Sequence, residues 1–148
     1  MVLHFTGYDG VSPISRWVYR GGKRNSAVHH VHGPEMEINE SVYNGWGVIA
    51  MKGKFVVRNL TRIRKVFERA EGEELPKVAL DMSGVLEVDS SAITILVNFQ
   101  RRIIQKDGLL VLFGLQPGIT EIFSIVGIDK LFRICTTREN FEALYVQE

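Results

Sequence analysis

Apolar and polar positions follow two rhythms along this chain, and the switches between them predict its elements. Met36 to Val42 and Trp46 to Met51 read as two strands joined by a turn at Asn44-Gly45, the dipeptide best suited to a tight hairpin. From Asn59 to Ala70 the period lengthens. Leu60, Ile63, Val66 and Phe67 share one face there, and Arg62, Arg64, Lys65 and Arg69 form a basic face, read as solvated with a patch for an acidic partner as the lesser alternative, the spacing of an amphipathic helix. Gly72 and Pro76 break that pattern, and Lys77-Val78-Ala79-Leu80-Asp81 suits a short buried strand. A second helix runs from Ser90 or Ser91 to Lys106, with Ile93, Leu96, Val97, Ile103 and Ile104 as its inner stripe and Gly108 as its stop. Leu109 to Phe113 reads as a strand, and Gln116 to Val126 as a helix opened by Pro117 and closed by Gly127. Leu131 to Cys135 is a last strand and Arg138 to Tyr145 a last helix.

Strands that alternate with helices need crossover connections. The order therefore predicts a single α/β domain over residues 36–148: a central mixed sheet of about five strands with about four helices, largely parallel, its opening hairpin antiparallel. Residues 1–35 form an N-terminal extension of different texture, rich in glycine and aromatic residues and holding all four histidines. Within it, Trp17-Val18-Tyr19-Arg20 and Ala27-Val28-His29-His30-Val31 flank a Gly21–Ser26 turn and read as a hairpin.

At 148 residues, 45% hydrophobic and 24% charged, the chain can bury a core without disulfides or a structural metal. A formal charge of +1 and the lack of a dense basic run argue against nucleic acid as a partner. No apolar stretch approaches a membrane span and no signal peptide is visible, so the expected location is cytoplasmic, away from membranes. Cys135 is the only cysteine and sits in a strand-like run, which marks it as a buried structural thiol.

The chemistry concentrates in Asp81-Met82-Ser83-Gly84-Val85-Leu86-Glu87-Val88-Asp89-Ser90-Ser91-Ala92-Ile93. A buried strand ends, a short loop follows, and two serines open an amphipathic helix. A helix start offers unpaired N–H groups and partial positive charge, which a serine can cap and a phosphate can exploit. Taken alone, Asp-Ser-Ser before an apolar run is a common capping signature.

The surroundings add to this. The stretch resembles the signature of STAS domains in anti-sigma-factor antagonists, where an aspartate ends a central strand and an Asp-Ser-Ser-Gly-Leu-like segment begins the next helix. The Leu109–Leu115 strand, the Pro117-Gly118-Ile119-Thr120-Glu121-Ile122-Phe123 run and Val126-Gly127-Ile128-Asp129-Lys130-Leu131-Phe132 are similar to the same family, in the same order, over Met36 to Leu144. The resemblance implies a STAS-like fold and a non-enzymatic switch. Its phosphorylation site falls on Ser91, with Ser90 as the alternative and capping neighbour. Asp89 becomes the adjacent acid, and Asp81 the strand-end acid that shapes the pocket beside Ser83. The implied partner is an anti-sigma factor with serine kinase activity, released when the serine is phosphorylated. No cofactor is implied. Ala92 stands where the family has glycine, Thr94 where a second small residue is common, and Val56 where members often carry an aspartate.

Those departures motivate a second reading: a STAS scaffold or adaptor in a larger signalling or lipid-transport assembly, without an active phosphoswitch, and with the extension as a candidate for homo-oligomer contacts. A third, a small hydrolase with Ser91 as nucleophile, lacks a Gly-x-Ser-x-Gly elbow and would need a histidine from the extension. His30 and His32 share a strand face, but no cysteine or carboxylate cluster completes a metal site, so none is assigned. Trp17, Tyr19 and Trp46 read as core aromatics rather than a partner surface.

Overall fold

The computed structural model describes the backbone of residues 29–32 and, in full, residues 36–146. Strand β1 (His29–His32) pairs antiparallel with β2 (Met36–Tyr43), and β2 pairs antiparallel with β3 (Trp46–Phe55). Asn44 and Gly45 join β2 to β3 with φ of 48° and 86°, the two left-handed residues of a type I′ turn, as their sequence foretold. Strands β4 (Lys77–Val88), β5 (Leu109–Phe113) and β6 (Arg133–Cys135) continue the sheet in parallel, in the spatial order β1-β2-β3-β4-β5-β6. The sheet is mixed and α/β as expected. Its sixth strand comes from the stretch before Met36, where Trp17–Arg20, the other arm of the expected hairpin, lies outside the described residues.

Helices α1 (Leu60–Glu71), α2 (Ser90–Gln105) and α3 (Pro117–Val126) each connect neighbouring parallel strands that advance in one direction. Right-handed crossovers then place all three on one face of the sheet. The main core lies there, with Ile38, Ile49, Leu80 and Leu112 from the strands against Phe67, Phe99 and Phe123 from the helices. Helix α4 (Arg138–Tyr145) packs on the opposite face, where Phe141 meets Trp46 edge-on at 5.0 Å and stacks on Phe113 at 5.4 Å. Trp46 and Cys135 are buried in this second core, as read from sequence, and burial pushes the Cys135 thiol above its ordinary pKa.

Three expectations need correction. Strand β4 does not end at Asp81; it runs on to Val88, paired with β3 alone after the ladder to β5 stops at Asp81–Phe113. What read as a loop is a two-stranded ribbon. The last strand is shorter than expected, since Asp129–Leu131 form a 3-10 turn and β6 starts at Arg133. The stop of α2 is set by Asp107, which takes the left-handed conformation at φ 58°. Gly108 is needed for space instead: a Cβ there would lie 2.3 Å from the Pro76 carbonyl oxygen, which accepts the Leu109 N–H at 2.8 Å.

The basic face of α1 is also not uniformly solvated. Arg64 and Lys65 are exposed, but Arg62 donates to Asn59 Oδ1 at 2.5 Å and Arg69 reaches over the sheet to a fully buried Glu40 carboxylate at 2.7 Å. Burial raises the Glu40 pKa above its ordinary value, and the Arg69 guanidinium only partly opposes this. A carboxyl with a raised folded-state pKa favours folding while protonated. Its contribution is present below the ordinary value of 4.5 and is lost as pH rises through the folded value. Urea unfolding of wild type and Glu40→Gln across this range should therefore diverge, with the wild type losing stability relative to the variant as pH climbs. Parallel curves would show that the carboxyl does not titrate abnormally.

Candidate functional site

Because strands β3 to β6 are parallel, the carboxyl ends of β3, β4 and β5 and the first turns of α1, α2 and α3 share one end of the sheet, the end where open α/β folds bind ligands. Asp89 organises its centre. With extended backbone (φ −118°, ψ 179°), it is the N-cap of α2, and its Oδ1 accepts the Ala92 N–H at 2.9 Å. Its Oδ2 accepts the Val57 N–H, also at 2.9 Å. One carboxylate thus ties the start of α2 to the 3-10 turn at Val57–Asn59 that leads into α1. The capping role belongs to Asp89 and not to Ser90, since the cap must precede the first helical residue.

Ser90 and Ser91 are the first two residues of α2, Ser90 exposed and Ser91 half-buried. Among the described residues neither hydroxyl has a hydrogen-bond partner. Thr94 is exposed and its Oγ1 donates to the Ser90 carbonyl at 3.0 Å, a local bond that braces the first turn. Ala92 is fully buried, so its methyl group fills the core beneath the turn and does not crowd the surface.

Asp81 and Ser83 lie elsewhere. Alternation along β4 turns Leu80 and Met82 into the helix-covered core and leaves Asp81 and Ser83 on the opposite face. There Asp81 Oδ1 accepts both the Ser83 N–H at 3.0 Å and the Ser83 hydroxyl at 2.7 Å. Together with Asn39, Ala50 and Lys52 they line a shallow cleft of about 270 Å³. The expected site residues therefore form two groups on the two faces of the sheet.

Sequence reading missed a third component. Leu86 and Val57 are 71% and 61% exposed, and each is within three residues of Asp89 or bonded to it through its backbone. Leu86 and Val88 also line a groove of about 270 Å³ against Pro117, Ile119 and Ile122 of α3. Plain alternation would not have found it, because register shifts between Ala50/Lys52 and Gly53/Lys54 break the period of the ribbon.

The arrangement, a mixed sheet with three helices on one face and a capped helix start at the strand ends, agrees with the sequence: the STAS domain profile matches residues 33–141. The chain belongs to the STAS domain family. No curated protein sequence matches this STAS domain. Among solved structures it is similar to an anti-sigma factor antagonist from Mycobacterium paratuberculosis, with a TM-score of 0.67 and 16% identity over 77% of this chain and 98% of that one. It is similar to the phosphorylated form of the Bacillus cell fate determinant SpoIIAA, with a TM-score of 0.54 and 15% identity over 80% and 99% of the two chains. A sulfate transporter family protein from Wolinella succinogenes also matches, with a TM-score of 0.57 and 20% identity over 65% and 80%. At these identities the likeness is one of fold. No helix among the described residues is long and apolar enough to cross a membrane.

Proposed function

We propose that this STAS domain is a non-enzymatic, cytoplasmic anti-sigma-factor antagonist that binds an anti-sigma factor with serine kinase activity and is switched off by phosphorylation of Ser91. The observation that carries the reading is the state of the serine pair. Asp89 takes over capping, which leaves the Ser91 hydroxyl unengaged at the second position of a helix start, on the end of the sheet where ligands dock. A phosphate there gains the unpaired N–H groups and the positive end of the helix, and sets about −1.5 to −2 charges on the docking surface. The likeness to anti-sigma factor antagonists supports the partner class.

The scaffold reading has one specific support, the fold shared with a sulfate transporter family protein. The buried Ala92 methyl group removes one of its motives, because that side chain cannot obstruct a kinase.

Incubation with purified anti-sigma kinases and ATP, followed by mass mapping, is expected to place phosphate on Ser91. Ser91→Ala should abolish the label, and phosphorylation should release the partner. Tight partner binding with no label on either serine would favour the scaffold.

A further inference from the structure

Charge at the start of α1 is lopsided, although Lys54 pairs with Glu87 and Asp89 stands beside the serine pair. Residues 54–67 contain Lys54, Arg58, Arg62, Arg64 and Lys65 and no acid. These cations surround the beginning of α1, which has no acidic residue in its first turn and no side-chain cap. Cations at the positive end of a helix oppose its dipole, so this placement costs stability locally. Violations of that kind gather at functional surfaces.

Of the exposed cations, Arg64 lies on the side of α1 that faces α2. Glu71 of α1 accepts Arg102 of α2 at 2.6 Å, and Phe67 stacks on Phe99 at 4.0 Å. Both contacts advance in the same direction, so the two helices run parallel in fixed register. Two turns before Glu71 on the same stripe stands Arg64, and about three turns before Arg102 on the facing stripe stands Ser91. Arg64 is exposed there, and Lys65, next to it on the solvent side of α1, is exposed as well. On the other side of the pair lies the apolar groove between Leu86 and Pro117–Ile122.

We infer that the partner covers this end of the domain with an acidic surface built around an apolar anchor: carboxylates against Arg64 and Lys65, and an apolar side chain in the groove beside Leu86. This rests on the reading above that the serine pair marks the anti-sigma factor's docking surface, and it adds the chemistry of that partner. Phosphorylation of Ser91 then acts as charge substitution. The new phosphate occupies the field of the same cations, and the partner's carboxylates meet a neutralised and locally negative surface. An apolar groove alone would suit many occupants, and a basic face alone would suit an anionic lipid surface. Their adjacency on either side of the helix start favours a protein with both features.

The test titrates the full chain against a panel of purified anti-sigma factors of the serine-kinase class, by calorimetry at about 50 and about 300 mM salt (two settings about 2.4-fold apart in Debye length). The variants are Arg64→Glu/Lys65→Glu and Leu86→Asp, at exposed positions where the fold should persist, with circular dichroism and melting as controls. Each variant is expected to weaken binding at least tenfold; the steep loss of affinity with salt should persist in Leu86→Asp and vanish in Arg64→Glu/Lys65→Glu. If both variants bind as the wild type does while Ser91→Glu does not, the acidic, anchored partner is overturned and the phosphoswitch stands. If no anti-sigma factor binds the wild type, the switch reading itself fails. Binding to phosphatidylserine vesicles in place of any panel member would assign the basic face to lipid and overturn the inference as well.

Discussion

Replacing Phe99 by alanine is expected to lower stability by about 3–5 kcal/mol. Phe99 is fully buried on α2 and stacks on Phe67 of α1 at 4.0 Å with their rings 11° apart, and Phe67 in turn meets Phe55 of β3 edge-on at 6.4 Å. Three elements therefore share one aromatic row. Alanine removes the α2 end of the row, and neighbours anchored on α1 and β3 cannot close the space. Because the row also fixes the register of α2 against α1, the variant should loosen the helix start that holds the serine pair. Guanidinium unfolding measures the first effect. A loss under about 1.5 kcal/mol would mean that the core collapses readily around the gap, against the packing described.

The second large effect is expected from Asp89→Ala, about 2–3 kcal/mol, from loss of an N-cap and of a second backbone bond together. Both oxygens of Asp89 are used, one on the Ala92 N–H and one on the Val57 N–H, and the two amides belong to different elements. Asparagine keeps one acceptor oxygen, so Asp89→Asn should fall between wild type and alanine. Hydrogen exchange separates this from a general destabilisation: the Ala92 and Val57 amides should lose protection together, ahead of their neighbours. Unchanged protection at both would show that the carboxylate does not hold the junction.

The elements that sequence made legible are those whose signal is local. The Asn44-Gly45 turn, the Pro117 and Gly127 bounds of α3 and the amphipathic stripe of α1 each depend on a few adjacent residues, and all recur in the structure. The parts that escaped depend on distant neighbours. Arg69 reads as a surface cation until Glu40, 29 residues earlier, is seen buried beneath it. Gly108 reads as a helix stop until Pro76 is found against it. The serines read as caps because Asp, Ser and Ser are all good cap residues, and only backbone geometry decides that Asp89 has the position. Strand β4 reads as ending at Asp81 because its continuation pairs on one side only and its bulged register hides the alternation. The helix start that carries the serine pair was legible because its signal is local, while Leu86 and Val57 beside it needed the structure.

The one-sided continuation of β4 separates what the molecule must keep from what it can change. Met82 and Val85 of the ribbon point into the core and are fixed by it, whereas Leu86 and Glu87 are exposed, Glu87 held only by a surface pair to Lys54. Substitutions at those two positions can accumulate with small effects on folding. If the proposed docking surface includes this ribbon, copies of the domain that arise by duplication can change their partners there without any redesign of the fold.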